Sequence, residues 1–317
     1  QDARDEGKRT ADDLMASTDP SLLARIFTPG PTRDNHPAGG ATGKAGRNLV
    51  QAITTAVVLI AAVAVPLFTS LSAFVGVIGF VCLVGIWELA GAFARMGITL
   101  AVPPLYVGAI GIVTCAWWLG SEGTLFALYI TVFVCAAWRL LDRRQESRMS
   151  DVVSTTFTAV YVPFLASFVV LMLAAWQNPW VFVVFELMVI ANDTGGWAAG
   201  VLFGKHPMAP ALSPKKSWEG FVGSALTAVG VGTVGLWWLG AAWWWGIIAG
   251  VSIAFVGTMG DLTESMIKRE SGLKDMSQIL PGHGGVLDRV DALLMSAPVA
   301  YFIFAWALPG VSWESRH

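Results

Sequence analysis

Apolar residues recur along this chain in runs of roughly 20, from Leu49 to Leu308, and a helix of that length spans the hydrocarbon core of a bilayer. The runs fall at 49–69, 72–94, 101–120, 123–141, 152–175, 180–203, 220–239, 243–260 and 289–308. They predict an all-α, polytopic transmembrane protein with about nine spanning helices; the breaks at 70–71 and 240–242 are the shortest. Residues 1–46 lack this pattern. They are rich in Asp, Arg, Pro, Gly and Thr and read as a mostly disordered cytoplasmic tail, not as a signal peptide. Within it, Ser21 to Phe27 could form a short interfacial helix. The expected organisation is therefore a polar tail over 1–46, N-terminal transmembrane helices over 47–178, a C-terminal transmembrane catalytic region over 179–310, and a short tail over 311–317.

The charges provide an independent check. With the N-terminus placed in the cytoplasm and the helices alternating, every one of the 20 Lys and Arg residues except Arg316 falls in a cytoplasmic segment. That is the bias that sets membrane topology. The opposite loops carry Trp117, Trp118, Trp176, Trp180, Trp237, Trp238 and Trp243 to Trp245, which read as interfacial belts. The chain is 55% hydrophobic and 13% charged, with mean hydropathy +0.62; a soluble domain carries about 25% charge. The net charge of -2 gives no general attraction for nucleic acid. Cys82, Cys115 and Cys135 lie in apolar runs without pairing motifs and read as small buried hydrophobes. No internal repeat of the kind common in transporters is evident.

Two segments on the basic face are too rich in functional groups for plain loops: Asn192 to Gly220 and Gly260 to Asp291. In the second, Asp288 and Asp291 stand three residues apart, on one face of the last helix. Carboxylates at a membrane boundary are costly unless paired or metal-bound. Magnesium takes one or two carboxylates plus phosphate oxygens, and Asp261, at the end of the preceding helix, adds a third. Asp288 could instead cap its helix. The run Pro281-Gly-His283-Gly284-Gly285 precedes a helix N-terminus, where backbone can approach a phosphate. Lys268, Arg269, Lys274 and Arg289 add positive charge, which topology or anionic lipid could also explain. In the first segment, Asp193 sits inside an apolar span and is a functional residue by default. Pro214 breaks the helix, and Lys215 and Lys216 can reach phosphates. Glu219 is either a site residue or a favourable charge at a helix start. Glu88 and Glu186 either pair with Arg95 or polar neighbours or line a cavity. His283 either acts as a base or hydrogen-bonds a phosphate or the backbone.

The pattern Ser265-x-x-Lys268-Arg269-x4-Lys274-Asp275-x5-Pro281-x-His283-Gly284-Gly285-x-x-Asp288-Arg289-x-Asp291 resembles the signature of the CDP-diacylglycerol synthases, also called phosphatidate cytidylyltransferases. Asn192-Asp193-Thr194, Gly200, Gly204-Lys205 and Ser213-Pro-Lys215-Lys216-Ser217-Trp218-Glu219-Gly220 resemble that family's other blocks, with Ser217 where the family usually has threonine. The resemblance is firm over the last 125 residues or so. It implies transfer of a cytidylyl group from CTP to phosphatidic acid, with CDP-diacylglycerol and pyrophosphate as products. On this reading Asp261, Asp288 and Asp291 hold magnesium, as one ion or two, and act in catalysis with Lys268 and Arg269. Lys215, Lys216, Ser217, Ser265, Lys274, His283, Gly284, Gly285, Arg289 and Asp193 bind substrate. The expected partners are CTP, phosphatidic acid and membrane lipids, with no nucleic acid; homodimerisation is compatible, though no dimer face is readable. The expected location is a multi-pass protein of a bacterial inner membrane with its active face cytoplasmic. A CDP-alcohol phosphotransferase would carry an Asp-Gly-x2-Ala-Arg pattern that is absent here. A polyprenol kinase remains a rival lipid enzyme. A transporter would use Glu88, Glu186 and Asp193 as an ion path, but leaves the basic, Gly-rich segment unexplained.

Overall fold

A computed structural model of the chain describes residues 45–142, 149–210, 212–277, 279–280 and 284–309. Most of the polar tail, the 21–27 patch, His283 and residues 311–317 lie outside the described residues. Among the described residues there are nine helices and one small hairpin. They are α1 (Ala45–Thr69), α2 (Leu71–Arg95), α3 (Val102–Trp118), α4 (Gly120–Leu141), α5 (Met149–Trp176), α6 (Pro179–Phe203), β1 (Pro207–Ala209), β2 (Ser213–Ser217), α7 (Trp218–Trp238), α8 (Trp244–Glu270) and α9 (Leu287–Ala307). The chain is an all-α polytopic membrane protein, and its helices follow the nine apolar runs to within a few residues except at one end of α8. Among the described residues, seven of the helices are long and apolar enough to cross a bilayer; α3 and the Thr54–Thr69 stretch of α1 are shorter apolar helices.

The local chemistry explains the boundaries. Ser70 caps α2 by accepting from the Ala73 amide, and Asn178 caps α6 by accepting from the Trp180 amide, with Pro179 in the first turn. Pro103 and Pro104 open α3. Pro163 lies in a π-turn, Val160–Phe164, that widens α5 at its middle; proline lacks the N–H that would continue the ladder there.

The difference at α8 matters for function. Hydropathy ends this span at residue 260, where Asp261 begins a charged stretch. The helix continues to Glu270. Lys268 and Arg269 in its last turn suit the negative end of the helix dipole. At about 1.5 Å per residue, 27 residues reach ~40 Å, against a hydrocarbon core of about 30 Å. The last three turns of α8 therefore carry their charges beyond the apolar layer, and Asp261 is a mid-helix residue.

The C-terminal ends of α2, α4, α6 and α8 meet the N-terminal ends of α3, α5, α7 and α9 at one end of the bundle. There the buried Arg139 of α4 pairs with Asp151 of α5, and Asp151 accepts from the Thr99 amide just after α2. The opposite end is aromatic: Trp180 stacks edge-on with Trp238 and with Phe68. The two ends thus differ in chemistry as the paired basic and tryptophan loops predict. Cys82 and Cys135 are buried, and all three cysteines are free.

Candidate active site

Helices α6, α7, α8 and α9 pack closely enough for polar groups to cross between them. Ser224 and Thr227 of α7 donate to the carbonyls of Asn192 and Ala191 on α6, each at 2.7 Å. A Cβ on Gly250 of α8 would stand 2.4 Å from the Cα of Val229 on α7, so only glycine permits this approach. At their polar end these helices and β2 enclose a cleft of ≈ 400 Å³. That volume suits a small-molecule site.

The cleft joins the two segments singled out in the sequence. From the first come Asp193, Lys215, Lys216 and Ser217; from the second come Asp261, Ser265, Lys268, Asp288 and Asp291. Two of these lysines already hold carboxylates. Lys216 Nζ donates to Asp261 Oδ2 at 2.5 Å. Lys268 Nζ bridges Glu264 Oε2 at 2.6 Å and Asp288 Oδ1 at 2.8 Å. Asp193 accepts from Asn192 Nδ2 at 3.0 Å, and Asn192 Oδ1 is buried without a hydrogen-bond partner among the described residues.

Glu264 was absent from the expected set. It is buried, and its Oε1 has no hydrogen-bond partner among the described residues. A readable signal existed: Asp261, Glu264 or Ser265, and Lys268 recur at three- and four-residue spacing along one helix face. Tyr161, placed by the π-turn of α5, is a second addition. Its buried hydroxyl lacks a partner among the described residues and lies within electrostatic reach of Asp261, Glu264 and Asp291.

Other expected residues have different tasks. Ser217 lines the cleft, but its hydroxyl also caps α7 by accepting from the Gly220 amide at 3.1 Å. Arg269 lies off the cleft and donates to the Leu212 carbonyl in the hairpin connection. Lys274 is exposed beyond the end of α8. Arg289 is exposed and within electrostatic reach of Asp193. Glu219 accepts from the Lys205 and His206 amides and meets His206 Nδ1 at 2.6 Å, fastening the hairpin to the start of α7.

The glycine turn departs most from expectation. The Gly284 amide donates to the Leu280 carbonyl, and the Gly285 amide to Asp288 Oδ2 at 2.8 Å. The next amides, of Val286 and Leu287, donate to Glu88 of α2. Gly284 and Gly285 were expected to cradle phosphate; instead the protein's own oxygens accept from these backbone donors. Asp288 does not take the capping role left open by the sequence: its Oδ2 accepts from the Met276 and Gly285 amides in the connection before α9, and so ties that connection to the helix. Glu186 lies two turns before Asp193 on α6 and does not line the cleft.

A profile described as the cytidylyltransferase family matches residues 50–307. The chain belongs to the cytidylyltransferase family. This match takes in α2 to α9 entire, the whole cleft included. Proteins similar to it include the phosphatidate cytidylyltransferase of Mycobacterium tuberculosis (strain ATCC 25618 / H37Rv), 38% identical over 277 residues covering 83% of this chain and 84% of that relative. The phosphatidate cytidylyltransferase of Mycobacterium leprae (strain TN) is 34% identical over 305 residues, 90% of this chain and 98% of the relative. The one of Haemophilus influenzae (strain ATCC 51907 / DSM 11121 / KW20 / Rd) is 33% identical over 287 residues, 81% and 99% respectively. As a cytidylyltransferase the chain is a nucleotidyltransferase, and the resemblance carried by residues 265–291 agrees with that.

Carboxylates predominate in the lining of this cytidylyltransferase cleft. Asp193, Asp261, Glu264, Asp288 and Asp291 face only Lys215, Lys216 and Lys268. A nucleotide triphosphate entering such a cleft meets an excess of like charge unless cations enter with it. Among the described residues no three His, Cys, Asp or Glu side chains converge to hold a metal on their own. The donor set therefore suits a magnesium ion completed by substrate phosphates, the usual arrangement for that ion.

Proposed function

We propose that this protein transfers the cytidylyl group of CTP to phosphatidic acid, giving CDP-diacylglycerol and pyrophosphate for phospholipid synthesis. The observation that carries the reading is the cleft itself. It brings Ser265, Lys268, Asp288 and Asp291 of the 265–291 signature and the Lys215–Lys216 strand together at the polar end of a membrane bundle, where a lipid headgroup and a soluble nucleotide can meet. The names of the relatives support the lipid substrate. The distribution of Lys and Arg supports a cytoplasmic active face with the N-terminus on the same side, and the bacterial relatives support an inner membrane.

A phosphate oxygen of the lipid attacks the α-phosphorus of CTP. The new P–O bond forms as the bond to the β-phosphate bridging oxygen breaks, and pyrophosphate leaves with that electron pair. The nucleophile is already an anion, so the step requires no strong protein base. Lys216 and Lys268 are poised to exchange carboxylate partners for phosphate oxygens and so offset charge spreading over the leaving group. Lys215, at the open side of the cleft, orients the incoming phosphate. Asp261 and Asp291 would hold magnesium, one ion or two, which supplies neutralisation of the triphosphate. Asp288 is the third expected ligand, and its grip on Lys268 and on the Met276 and Gly285 amides assigns it the ordering of α9.

Purified protein given CTP and phosphatidic acid with magnesium is expected to form CDP-diacylglycerol and pyrophosphate in equal amounts, and to stop when EDTA is added. No CDP-lipid from folded protein, across acyl chain lengths and divalent metals, would sink the proposal.

A further inference from the structure

Glu88 is 0% exposed, and among the described residues no Lys, Arg or His lies within ion-pair distance of it. A buried carboxylate without a counter-ion is costly, so its contacts must offset that cost. Glu88 Oε1 accepts from the Ser277 hydroxyl at 2.5 Å and from the Val286 amide at 2.8 Å. Oε2 accepts from the Leu287 amide at 2.7 Å. Two of these donors form the open end of α9, where the helix dipole favours an anion. An α2 side chain some 200 residues upstream in sequence thus caps the helix that carries Asp288 and Asp291.

The surroundings leave little freedom. A Cβ on Gly285 would lie 2.6 Å from Glu88 Oε1 and 2.9 Å from Asp288 Oδ2. Both carboxylates therefore close on this one residue, from α2 on one side and α9 on the other. Ser277, itself fully buried, also accepts from the Ile279 amide. The chain between α8 and α9 is held at Met276 and Gly285 by Asp288, and at Ser277 and Val286 by Glu88. Asp288 in turn holds Lys268, which holds Glu264.

We propose that Glu88 is a positioning residue for nucleotidyl transfer: it fixes the rotation and depth of the α9 N-terminus and thereby the placement of Asp288 and Asp291. It touches no substrate and acts through α9. This role rests on the proposed reaction for its kinetic consequence, but the contacts can be tested without it. A misplacement of about 1 Å in a reacting constellation costs up to ~100-fold in rate. Glutamine keeps the shape of Glu88 but presents an NH2 group to one of the two amide donors, whereas aspartate keeps the charge on a shorter stem.

The test compares Glu88→Gln, Glu88→Asp and Ser277→Ala with the intact chain in detergent or nanodiscs. Readouts are kcat and KM for each substrate, thermal stability, and hydrogen exchange of peptides spanning 284–290 and 190–200. Glu88→Gln is expected to lower kcat by about 10- to 100-fold with KM for phosphatidic acid unchanged, and to speed exchange at 284–290 while leaving 190–200 protected. Glu88→Asp should recover part of kcat, and Ser277→Ala should lose less than Glu88→Gln. Wild-type kcat per folded molecule in Glu88→Gln, or a fall in stability with uniformly faster exchange, overturns the proposal. If Glu88→Gln does not fold, Glu88→Asp and Ser277→Ala decide it by the same readouts. If the intact chain makes no CDP-lipid, the reaction reading fails, and local against uniform loss of protection still decides the role of Glu88.

Discussion

The two halves of the bundle solve different problems with different side chains. From α1 to α5 the core is built of large apolar residues, such as Ile86, Leu89, Leu105 and Met172. Its principal buried charge cluster, Arg139 with Asp142 and Asp151, is closed on itself by short ion pairs. From α6 to α9 the helices approach through small residues, and their polar end leaves Asn192 Oδ1 and Glu264 Oε1 buried without partners among the described residues. The Arg139 cluster is closed by its ion pairs, while the cleft at the polar end of α6 to α9, with the Tyr161 hydroxyl of α5 beside it, keeps donors and acceptors in reserve for something that enters. Unfinished electrostatics, more than the density of charge, separate a reacting region from a scaffold.

Substitutions can break that contrast, and they rank by their effect on turnover per folded molecule. Asp291→Asn is expected to have the largest effect, ~1000-fold or more in kcat with folding intact, because it removes a carboxylate from a preorganised charged site. Steady-state CDP-lipid formation beside a thermal melt checks this, and activity near wild type would remove Asp291 from the site. Lys216→Met is expected to cost about 100-fold, since it removes a cation and strands Asp261; added divalent metal should not restore it.

In the scaffold half the signs reverse. Arg139→Met removes the guanidinium that meets the buried Asp151 carboxylate and should lower stability by about 3–5 kcal/mol, with turnover of the surviving folded protein within about two-fold of wild type. A large change in KM there, without loss of stability, would show that the cluster belongs to the reaction. Lys274→Ala should be the smallest, within measurement error in both assays, because the side chain is exposed and off the cleft.

Legibility in the sequence divides along the same line. The helices of both halves were readable because a bilayer demands long apolar runs whatever the packing. Asp193, Lys215, Lys216, Asp261, Lys268 and Asp291 stood out because residues of those types in those spacings suit phosphate chemistry, and they line one cleft. Three features were not. Hydropathy ended α8 at its first charge, although a helix can leave the membrane without stopping. The glycine turn had the composition of an anion cradle, but which acceptor meets its amides is a tertiary fact that local sequence does not hold. Glu88 stood out as a carboxylate in an apolar run, but its task was not readable, since its partners Ser277, Val286 and Leu287 lie some 200 residues away in sequence.

The most direct measurement follows the label of CTP in parallel reactions with phosphatidic acid and magnesium. Cytidylyl transfer in this cleft puts the α-phosphorus of CTP into the lipid product and the γ-phosphorus into pyrophosphate, and Asp291→Asn abolishes both. Lipid labelled from the γ-position, or α-labelled lipid formed equally well by Asp291→Asn, would contradict the account.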